Sequence, residues 1–578
     1  MPLPDMALAA QARLDEEIAK QTRPLCDLKT QRNTFSLISR LPTETLAAIF
    51  ICSARDYHST HNGCATETAP RWVNISYVCR HWRNLALNCP TLWSYLFITS
   101  PRWTEELLAR SKKASLKLHA EVHLYMTLDP LSRASDFVRR VMNHIERIQE
   151  LHINLSSMCF KPGDSFLPSS APRLQNLKIS FCFDNEPSLQ FSTFFDGDTP
   201  ALRTLELSCC PVPWYSFTLN GLTTLDLRLV PSLFQQNTAE FLATLSSMQD
   251  LRHLYLNHAV ASAAAFLSSA EFHTFQKIDL PHLSRLLIDA PVSTVIAFLA
   301  CVNIPMKTEV KLECGFEDGV SLDDYASLFS VLAQRFSTSR SQALSTPPFR
   351  SLVINLRGYS ETLTFSPLER DCDSFDLMLQ QDWGRCNTRL KIKVCLFARH
   401  TKRGLDGILG DISSFVSLMD VQSVHVISPP LLPAIWRSAL GRLRDLQYLK
   451  LSYGKLPDLA PVLSLTDVTI SEGAEGQGGH THQNPDRMLA PALEELELCD
   501  ISFWKRTKKD KCPVDVQALY DALATRKGSS GQLTITRCIE RIVSGRSVQE
   551  TRFDVVGRWN NGHFCVVEKH DSRPFLWP

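Results

Sequence analysis

The chain has 578 residues, of which 44% are hydrophobic and 21% are charged. This composition is ordinary for a folded protein and excludes a mostly disordered chain. Lys and Arg total 61 against 60 for Asp and Glu, which gives a formal net charge of +1. Because this balance provides no general attraction to nucleic acid or to an anionic membrane, we expect neither as a partner.

The N-terminal residues lack the basic and then apolar segments of a secretory signal, and no run of about 18 apolar residues predicts a transmembrane helix. We therefore expect a cytoplasmic or nuclear protein. In such a reducing compartment most of the 18 cysteines would act as small buried hydrophobic residues rather than as disulfides.

Residues 1–37 are predicted to form an N-terminal helical arm that Pro24 interrupts. Leu14, Ile18, Leu25 and Leu28 give this arm an apolar stripe, which is too broken for a coiled coil. Two interpretations remain open. The arm packs on the module that follows, which the pattern favours, or it is an interface of its own.

Short amphipathic helices are predicted in residues 38–98, around a polar loop at about 55–71. In the segment LPTETLAAIF at 41–50, Pro42 suits the first helical position, and Glu44 lies in the first turn, where the helix dipole favours an anion. Leu46, Ile49 and Phe50 then share one face of the first helix. So small a module cannot bury much surface alone, so its apolar faces predict a partner.

A second predicted helix in this module carries Ile75, Val78, Cys79 and Trp82 on one face, and Pro90 ends it. Four segments occur in a defined order: LPTE at 41–44, IF at 49–50, VCRHWR at 78–83 and PTLW at 90–93. In this order they resemble the F-box. The long loop between the helices resembles the version common in fungal F-box proteins.

The resemblance to the F-box implies binding to the Skp adaptor, which links F-box proteins to a cullin and to a ubiquitin-conjugating enzyme. By this analogy, five residues would supply much of the apolar contact: Leu41, Pro42, Leu46, Ile49 and Phe50. Four more would contribute either contact or module core, which the sequence leaves open: Val78, Trp82, Leu92 and Trp93.

After linking helices at 99–147, an apolar-x-x-apolar-x-apolar pattern recurs at roughly 20 to 32 residues, around the range of leucine-rich repeats. Its copies begin at Ile148, Leu174, Leu202, Leu222, Leu251 and Leu283, and again at Phe349, Val421, Leu446, Leu465 and Leu493. The last two apolar residues of a copy point to one face of a strand, and helical stretches between copies predict parallel strand pairing.

The predicted fold class is α/β: an all-α F-box module followed by a degenerate leucine-rich-repeat solenoid with a parallel sheet. The array spans residues 148–530, and residues 531–578 form a C-terminal cap. The alternative is a set of unrelated βα units in a conventional α/β domain.

Signals for bond chemistry are weak. The sequence has no P-loop, dinucleotide fingerprint, nucleophile elbow or Cys-x-x-Cys pair, so we expect no enzyme, no catalytic residue and no cofactor. His58, His61 and Cys64, with Cys52, suggest zinc, but a solvated loop explains them better, and no metal is expected. The basic run at 505–511 fits a nuclear signal, a contact with an acidic partner or a solvated loop.

These features predict a non-catalytic adaptor of a Skp–cullin–F-box ubiquitin ligase, whose array holds an unknown target protein on its concave face or its edge. A rival interpretation is a scaffold that binds the Skp adaptor without a cullin. A third is an enzyme with an unrecognised site, which would require a convergent cluster of titratable groups in one deep pocket.

Overall fold

The chain divides into two compact units, residues 1–234 and 235–578. The structure is a computed structural model. Every helix among the residues that it describes is too short or too polar to span a bilayer. The described residues are 5–60, 71–97, 101–121, 136–156, 170–182, 198–209, 219–230, 238–260, 277–305, 307–315, 327–332, 350–355, 360–366, 390–395, 410, 421–427, 429, 433–455, 459, 463, 490–506, 516–524, 530–544, 547–560 and 563–571.

The helices of the first unit come before and among its first strands. They are α1 (Asp5–Thr34), α2 (Thr43–Thr60), α3 (Arg80–Leu87) and α4 (Pro101–Ser111), with 3-10 helices at Leu37–Arg40, Arg71–Tyr77, Pro90–Trp93 and Ile145–Arg147. Its strands are β1 (Tyr95–Phe97), β2 (Leu116–Glu121), β3 (Ile148–Ser156), β4 (Asn176–Cys182), β5 (Thr204–Ser208) and β6 (Thr224–Arg228).

Strands dominate the second unit. Its helices are α5 (Thr238–Ser247), α6 (Val292–Cys301), α7 (Pro433–Arg442) and α8 (Val516–Ala524). Its strands are β7 (His253–Asn257), β8 (Ile278–Asp279), β9 (Arg285–Pro291), β10 (Val302–Asn303), β11 (Glu309–Gly315), β12 (Ser351–Asn355), β13 (Ser360–Ser366), β14 (Leu390–Cys395), β15 (Ser423–Ile427), β16 (Tyr448–Lys455), β17 (Glu495–Arg506), β18 (Ser530–Ser544), β19 (Ser547–Asn560) and β20 (His563–Asp571).

The first helix, α1, continues through Pro24, so the predicted interruption is wrong. Proline removes one backbone donor, and on an exposed helix water can bond the carbonyl that loses it. The arm contacts the next module through the ion pair of Asp27 with Arg80 at 2.9 Å, but its apolar stripe does not take part. Leu14, Ile18, Leu25 and Leu28 are 51% to 65% exposed.

A parallel sheet builds the first unit from β1 to β6. β1 pairs with β2, β2 with β3, and the series continues in order through β4 and β5 to β6. The sheet therefore begins at Tyr95, inside the helical module predicted at 38–98. The stretch 99–147, predicted as linking helices, contains β2, a strand of this sheet. The motif search missed β1, whose copy at Leu92, Tyr95 and Phe97 lies inside the helical module, and β2, which has Lys113 at the first apolar position of the pattern.

The repeated apolar pattern places buried side chains on the strands. In β5, Leu205 and Leu207 are buried while Glu206 between them is half-exposed, as period two requires. The predicted copies coincide with β3 to β7, β9, β12 and β15 to β17, whereas the copy at Leu465 lies outside the described residues. The helical N-terminal region followed by a parallel-strand region confirms the predicted fold class.

The copies also share hydrogen bonds at the start of their strands. In most of the described copies the first apolar residue donates its N–H to the carbonyl three residues earlier, as from Leu202 to Thr199 at 3.1 Å and from Leu493 to Ala490 at 3.2 Å. This common turn directs the chain into these strands.

A left-handed backbone residue lies at one register of several copies, directly after the strand in β5, β6 and β7 and within the longer strands β16 and β17. Cys209, Leu229, His258, Tyr453 and Asp500 have φ between 46° and 55°. Each lies two residues after the last apolar position of its copy. For a non-glycine residue this conformation costs about 1–2 kcal/mol, and hydrogen bonds to the neighbouring strand help to hold it, as from the N–H of His258 to the carbonyl of Asp289 at 2.7 Å. Copies with different sequences thus share one backbone geometry.

The sheet of the second unit is mostly parallel. β7, β9, β11 and β14 pair in parallel, and β12, β15, β16, β17 and β18 do the same. Between these runs β13 pairs antiparallel with both β14 and β12. At the C-terminal end β18, β19 and β20 form an antiparallel meander against which α8 packs.

A buried histidine makes the stability of the second unit pH-dependent. His425 on β15 is 2% exposed, and its Nε2 lies 2.9 Å from Oγ of Ser452. Burial, with a smaller effect of the nearby Lys450, lowers the pKa of His425 from 6.5 to about 3. The folded protein therefore keeps the ring neutral at pH values where the unfolded chain binds a proton.

The contribution of His425 to stability is complete above pH 6.5, and we expect it to fall by up to about 1.4 kcal/mol per pH unit below this value, toward a pH of about 3. Replacing His425→Gln should reduce this slope, measured by urea unfolding of the full chain between about pH 7.5 and 5. The exposed His563 on β20, changed to Gln, is the control. If the His425 variant kept the pH slope of the unchanged chain, His425 would not be the source of the pH dependence.

Candidate protein-docking site

The helical module consists of α2, α3 and the 3-10 helices at Arg71–Tyr77 and Pro90–Trp93, which pack on one another. Pro42 accepts the N–H of Leu46 at 3.0 Å and so makes the first helical bond of α2, which begins one residue later than predicted. Leu46 and Phe50 of α2 are 0% and 1% exposed, so they form the core of the module.

Trp93 is the centre of that core. Its side chain is fully buried, and its indole N–H donates to the carbonyl of Ala86 at 2.7 Å. The ring of Trp72 meets it edge-on, with centroids 5.1 Å apart, and the guanidinium carbon of Arg110 on α4 lies 4.3 Å from its centroid. Leu92 is fully buried beside it. Trp93 therefore holds the module together and joins it to α4.

The second predicted helix is broken where Val78 and Cys79 follow the 3-10 helix at Arg71–Tyr77. Cys79 has an extended backbone, and its sulfur accepts the N–H of Trp82 at 3.4 Å, which caps the start of α3. The prediction of one continuous face through Val78, Cys79 and Trp82 is therefore wrong. The break leaves Val78 59% exposed.

Apolar side chains remain exposed on this module. Leu41 is 37% exposed, Ile49 is 45% exposed, and Pro42 is also exposed. Trp82 is half-buried, with its ring centroid 5.0 Å from that of Phe50. A free apolar surface of this kind is the physical requirement for docking a partner.

The outer face of α2 lines a shallow groove. Its side chains follow helical spacing: Thr45, Ala48, Ile49, Cys52, Ser53 and Asp56. The lining is mostly apolar and small, with one large side chain, Ile49, near its middle. Such a face can accept the apolar face of a partner helix.

The structure divides the predicted contact residues into two groups. Those with free surface are Leu41, Pro42, Ile49, Val78 and, in part, Trp82; those covered within the module are Leu46, Phe50, Leu92 and Trp93. A fully covered side chain has no surface to offer. Partner contact stays a prediction, and it now depends on the first group.

Four exposed apolar residues were missed by the sequence reasoning. Phe35 is 80% exposed, Leu37 78%, Ile38 40% and Tyr77 70%. They lie in turns and 3-10 segments, where a search for helical periodicity finds no pattern. The signal that would have revealed them is a large apolar residue that belongs to no helical face.

The module is attached to the sheet through polar contacts as well as through Trp93. Nε of Arg55 on α2 donates to the hydroxyl of Tyr95 on β1 at 3.2 Å, which raises the pKa of Arg55. The backbone N–H of Lys117 donates to the carbonyl of Ser94 at 3.0 Å, and its ammonium lies 5.4 Å from the ring centroid of Tyr95. The helices and the first strands are thus one packed structure.

The described residues offer little bond chemistry. They contain no group of three or more His, Cys, Asp or Glu side chains placed to hold a metal. His61 and Cys64 of the zinc hypothesis lie outside the described residues, as does most of the basic run at 505–511. Burial raises the pKa of Cys301 to about 11 and that of Cys538 to about 12, so these thiols stay protonated and poorly nucleophilic.

A comparison with known protein families identifies this helical module. Residues 38–99 match the F-box-like family, which covers the region from the 3-10 helix at Leu37–Arg40 to the end of β1. No curated protein matches the chain.

Proposed function

We propose, from the premise that residues 38–99 are an F-box-like domain, that this protein is a substrate-recognition adaptor of a Skp–cullin–F-box ubiquitin ligase. An F-box-like domain mediates protein interaction. The observation that carries the proposal is its exposed apolar surface, with Ile49 and Val78 45% and 59% exposed. In this role the Skp adaptor covers that surface and connects the chain to a cullin.

The proposed mechanism is proximity. The adaptor holds the chain on the ligase while the strand array holds a target protein, so that the lysines of the target reach the conjugating enzyme at high effective concentration. The protein itself then contributes no bond chemistry and is not an enzyme. We place this activity in the cytoplasm or the nucleus.

The polar face of the sheet in the first unit supports target binding. Across β4 and β5 the side chains of Lys178 and Glu206 share one row and form an ion pair of 2.9 Å. The rings of His119 and His152 lie 4.3 Å apart in the same row. These side chains are held in place by neighbouring strands, so the face is preorganised for a partner.

Reconstitution tests the ligase proposal. The full chain, co-expressed with a Skp adaptor and a cullin, should recover both in one complex. Recovery of the adaptor without the cullin would favour the scaffold alternative. A chain that recovers neither, although folded, would refute both.

The double substitution Leu41→Ala with Pro42→Ala should raise the dissociation constant for the Skp adaptor about tenfold. This change corresponds to a loss of roughly 1.4 kcal/mol of binding free energy. Both residues are exposed, so the unfolding midpoint should stay close to that of the unchanged chain. Affinity is measured by titration with purified adaptor. The matched control is Val566→Ala with Val567→Ala on β20, where the valines are 46% and 51% exposed outside the domain. Equal affinity in both variants would show that Leu41 and Pro42 make no contact.

A further inference from the structure

An apolar stripe on α1 is left uncovered. Leu14, Ile18, Leu25 and Leu28 are 65%, 62%, 51% and 63% exposed. Their spacing places all four within about 80° of one another around a helix of 3.6 residues per turn. Four large apolar side chains on one face of a 30-residue helix form an apolar stripe, interrupted at Gln21, that a partner can cover.

The F-box-like domain meets α1 on another face. Oδ1 of Asp27 accepts a hydrogen bond from Nη1 of Arg80 on α3 at 2.9 Å. Asp27 lies about 140° around the helix from the centre of the stripe. This contact with the domain therefore lies on a different side of α1 from the apolar stripe.

The charges on α1 are segregated along its length. Residues 5–19 hold four acidic residues (Asp5, Asp15, Glu16, Glu17) and one basic residue (Arg13), a net charge of −3. Residues 20–34 hold four basic residues (Lys20, Arg23, Lys29, Arg32) and one acidic residue (Asp27), a net charge of +3. A second α1 running antiparallel would place each half against its opposite, whereas a parallel one would place like charges together.

We propose that the stripe of α1 binds the same stripe of a second copy of this chain, with the two helices antiparallel. In this pair Leu14 of one copy lies opposite Leu28 of the other, Ile18 lies beside Leu25, and the two Gln21 side chains face each other. The flanking Asp15 approaches Lys29 of the other copy, and this contact occurs twice by symmetry. Gln21 interrupts the apolar surface and so helps to select one register.

Self-association through α1 would double the number of strand arrays in one assembly. Two arrays bind a target with two copies of a motif, or a target that is itself a dimer, more tightly than one array does. The inference does not rest on the proposed ligase function, because a chain that never bound the adaptor would still dimerise.

The mass of the full chain in solution tests the proposal. The chain has a mass of 65.2 kDa, and sedimentation should give twice this value at micromolar concentration. Leu25→Gln should raise the dissociation constant of the dimer about tenfold or more, because glutamine keeps the helix and removes the apolar contact. The matched control is Leu8→Gln, which is similarly exposed at 49% but lies about 120° from Leu14 around the helix, outside the stripe.

Exchanging one charge tests the antiparallel orientation. Asp15→Lys and Lys29→Glu should each weaken self-association, because like charges then meet twice. Mixed together, the two variants should form a heterodimer in which both contacts are attractive. In a parallel pair each single exchange would instead strengthen self-association, because it lowers the net charge of one half of α1, which there faces the same half of the other copy.

A single-chain mass at every concentration would overturn the proposal, as would equal effects of Leu8→Gln and Leu25→Gln. So would a Leu25→Gln variant that loses adaptor capture without any change of mass, since the stripe would then bind the adaptor. Random pairing of the two charge variants would overturn the antiparallel arrangement.

Discussion

Replacing Val78 by Asp should raise the dissociation constant for the Skp adaptor about 100-fold or more, which corresponds to a loss of roughly 2.7 kcal/mol of binding free energy. Val78 is 59% exposed in the break before α3, so the free chain hydrates the new carboxylate. In the proposed complex the carboxylate would be buried against apolar groups without a partner, which is costly. Calorimetric titration with purified adaptor measures the change.

The matched control for Val78→Asp is Val567→Asp. Val567 on β20 is 51% exposed and lies in the second unit, outside the F-box-like domain. Ile49→Asp in the groove of α2 should reproduce the effect of Val78→Asp. Unchanged capture by both domain variants would place the adaptor elsewhere. A lower unfolding midpoint for Val78→Asp than for the control would attribute any loss of capture to misfolding.

Trp93→Ala should destabilise the domain by about 3–5 kcal/mol, the usual cost of removing a buried tryptophan or phenylalanine side chain. The substitution removes the contact with Trp72, the cation–π contact of Arg110 and the donor to Ala86. Adaptor capture should fall because the domain unfolds, although Trp93 itself has no free surface. Limited proteolysis and chemical unfolding measure the loss.

Trp93→Phe separates packing from the hydrogen bond. Phenylalanine keeps an aromatic ring but removes the indole donor to the carbonyl of Ala86, which still accepts the backbone N–H of Cys89 at 3.3 Å, so the loss should cost about 0.5–1.5 kcal/mol. We expect an intermediate stability and adaptor capture close to that of the unchanged chain. If Trp93→Phe kept full stability but lost capture, Trp93 would be a contact residue and its assignment to the core would be wrong.

These experiments treat exposed and buried members of one motif in opposite ways. Val78 and Ile49 are expected to change affinity without changing stability, and Trp93 is expected to change stability first. The difference follows from where each side chain loses its contact with water. A side chain that is buried by folding stabilises the fold, whereas one that is buried only by the partner stabilises the complex.

Local sequence was sufficient for several features. The Leu-Pro and Ile-Phe segments and the ordered aromatic motifs identified the F-box-like domain, because a small docking module needs particular residues at particular spacings. The period-two apolar pairs, such as Leu205 and Leu207, located most of the parallel strands, because each repeat buries its apolar pair in the same way. Each of these segments spans only a few neighbouring residues, so it can be recognised without knowing the tertiary structure.

Other features were decided only by contacts between distant segments. β2 joins the sheet between β1 and β3 although it lacks the repeated pattern, because its backbone finds partners on both sides. β13 reverses direction within an otherwise parallel run. Cys79 breaks the second predicted helix by capping α3 with its own side chain, which turns Val78 outward. Periodicity reports which side chains can share a face, whereas burial of that face depends on what the rest of the chain places against it.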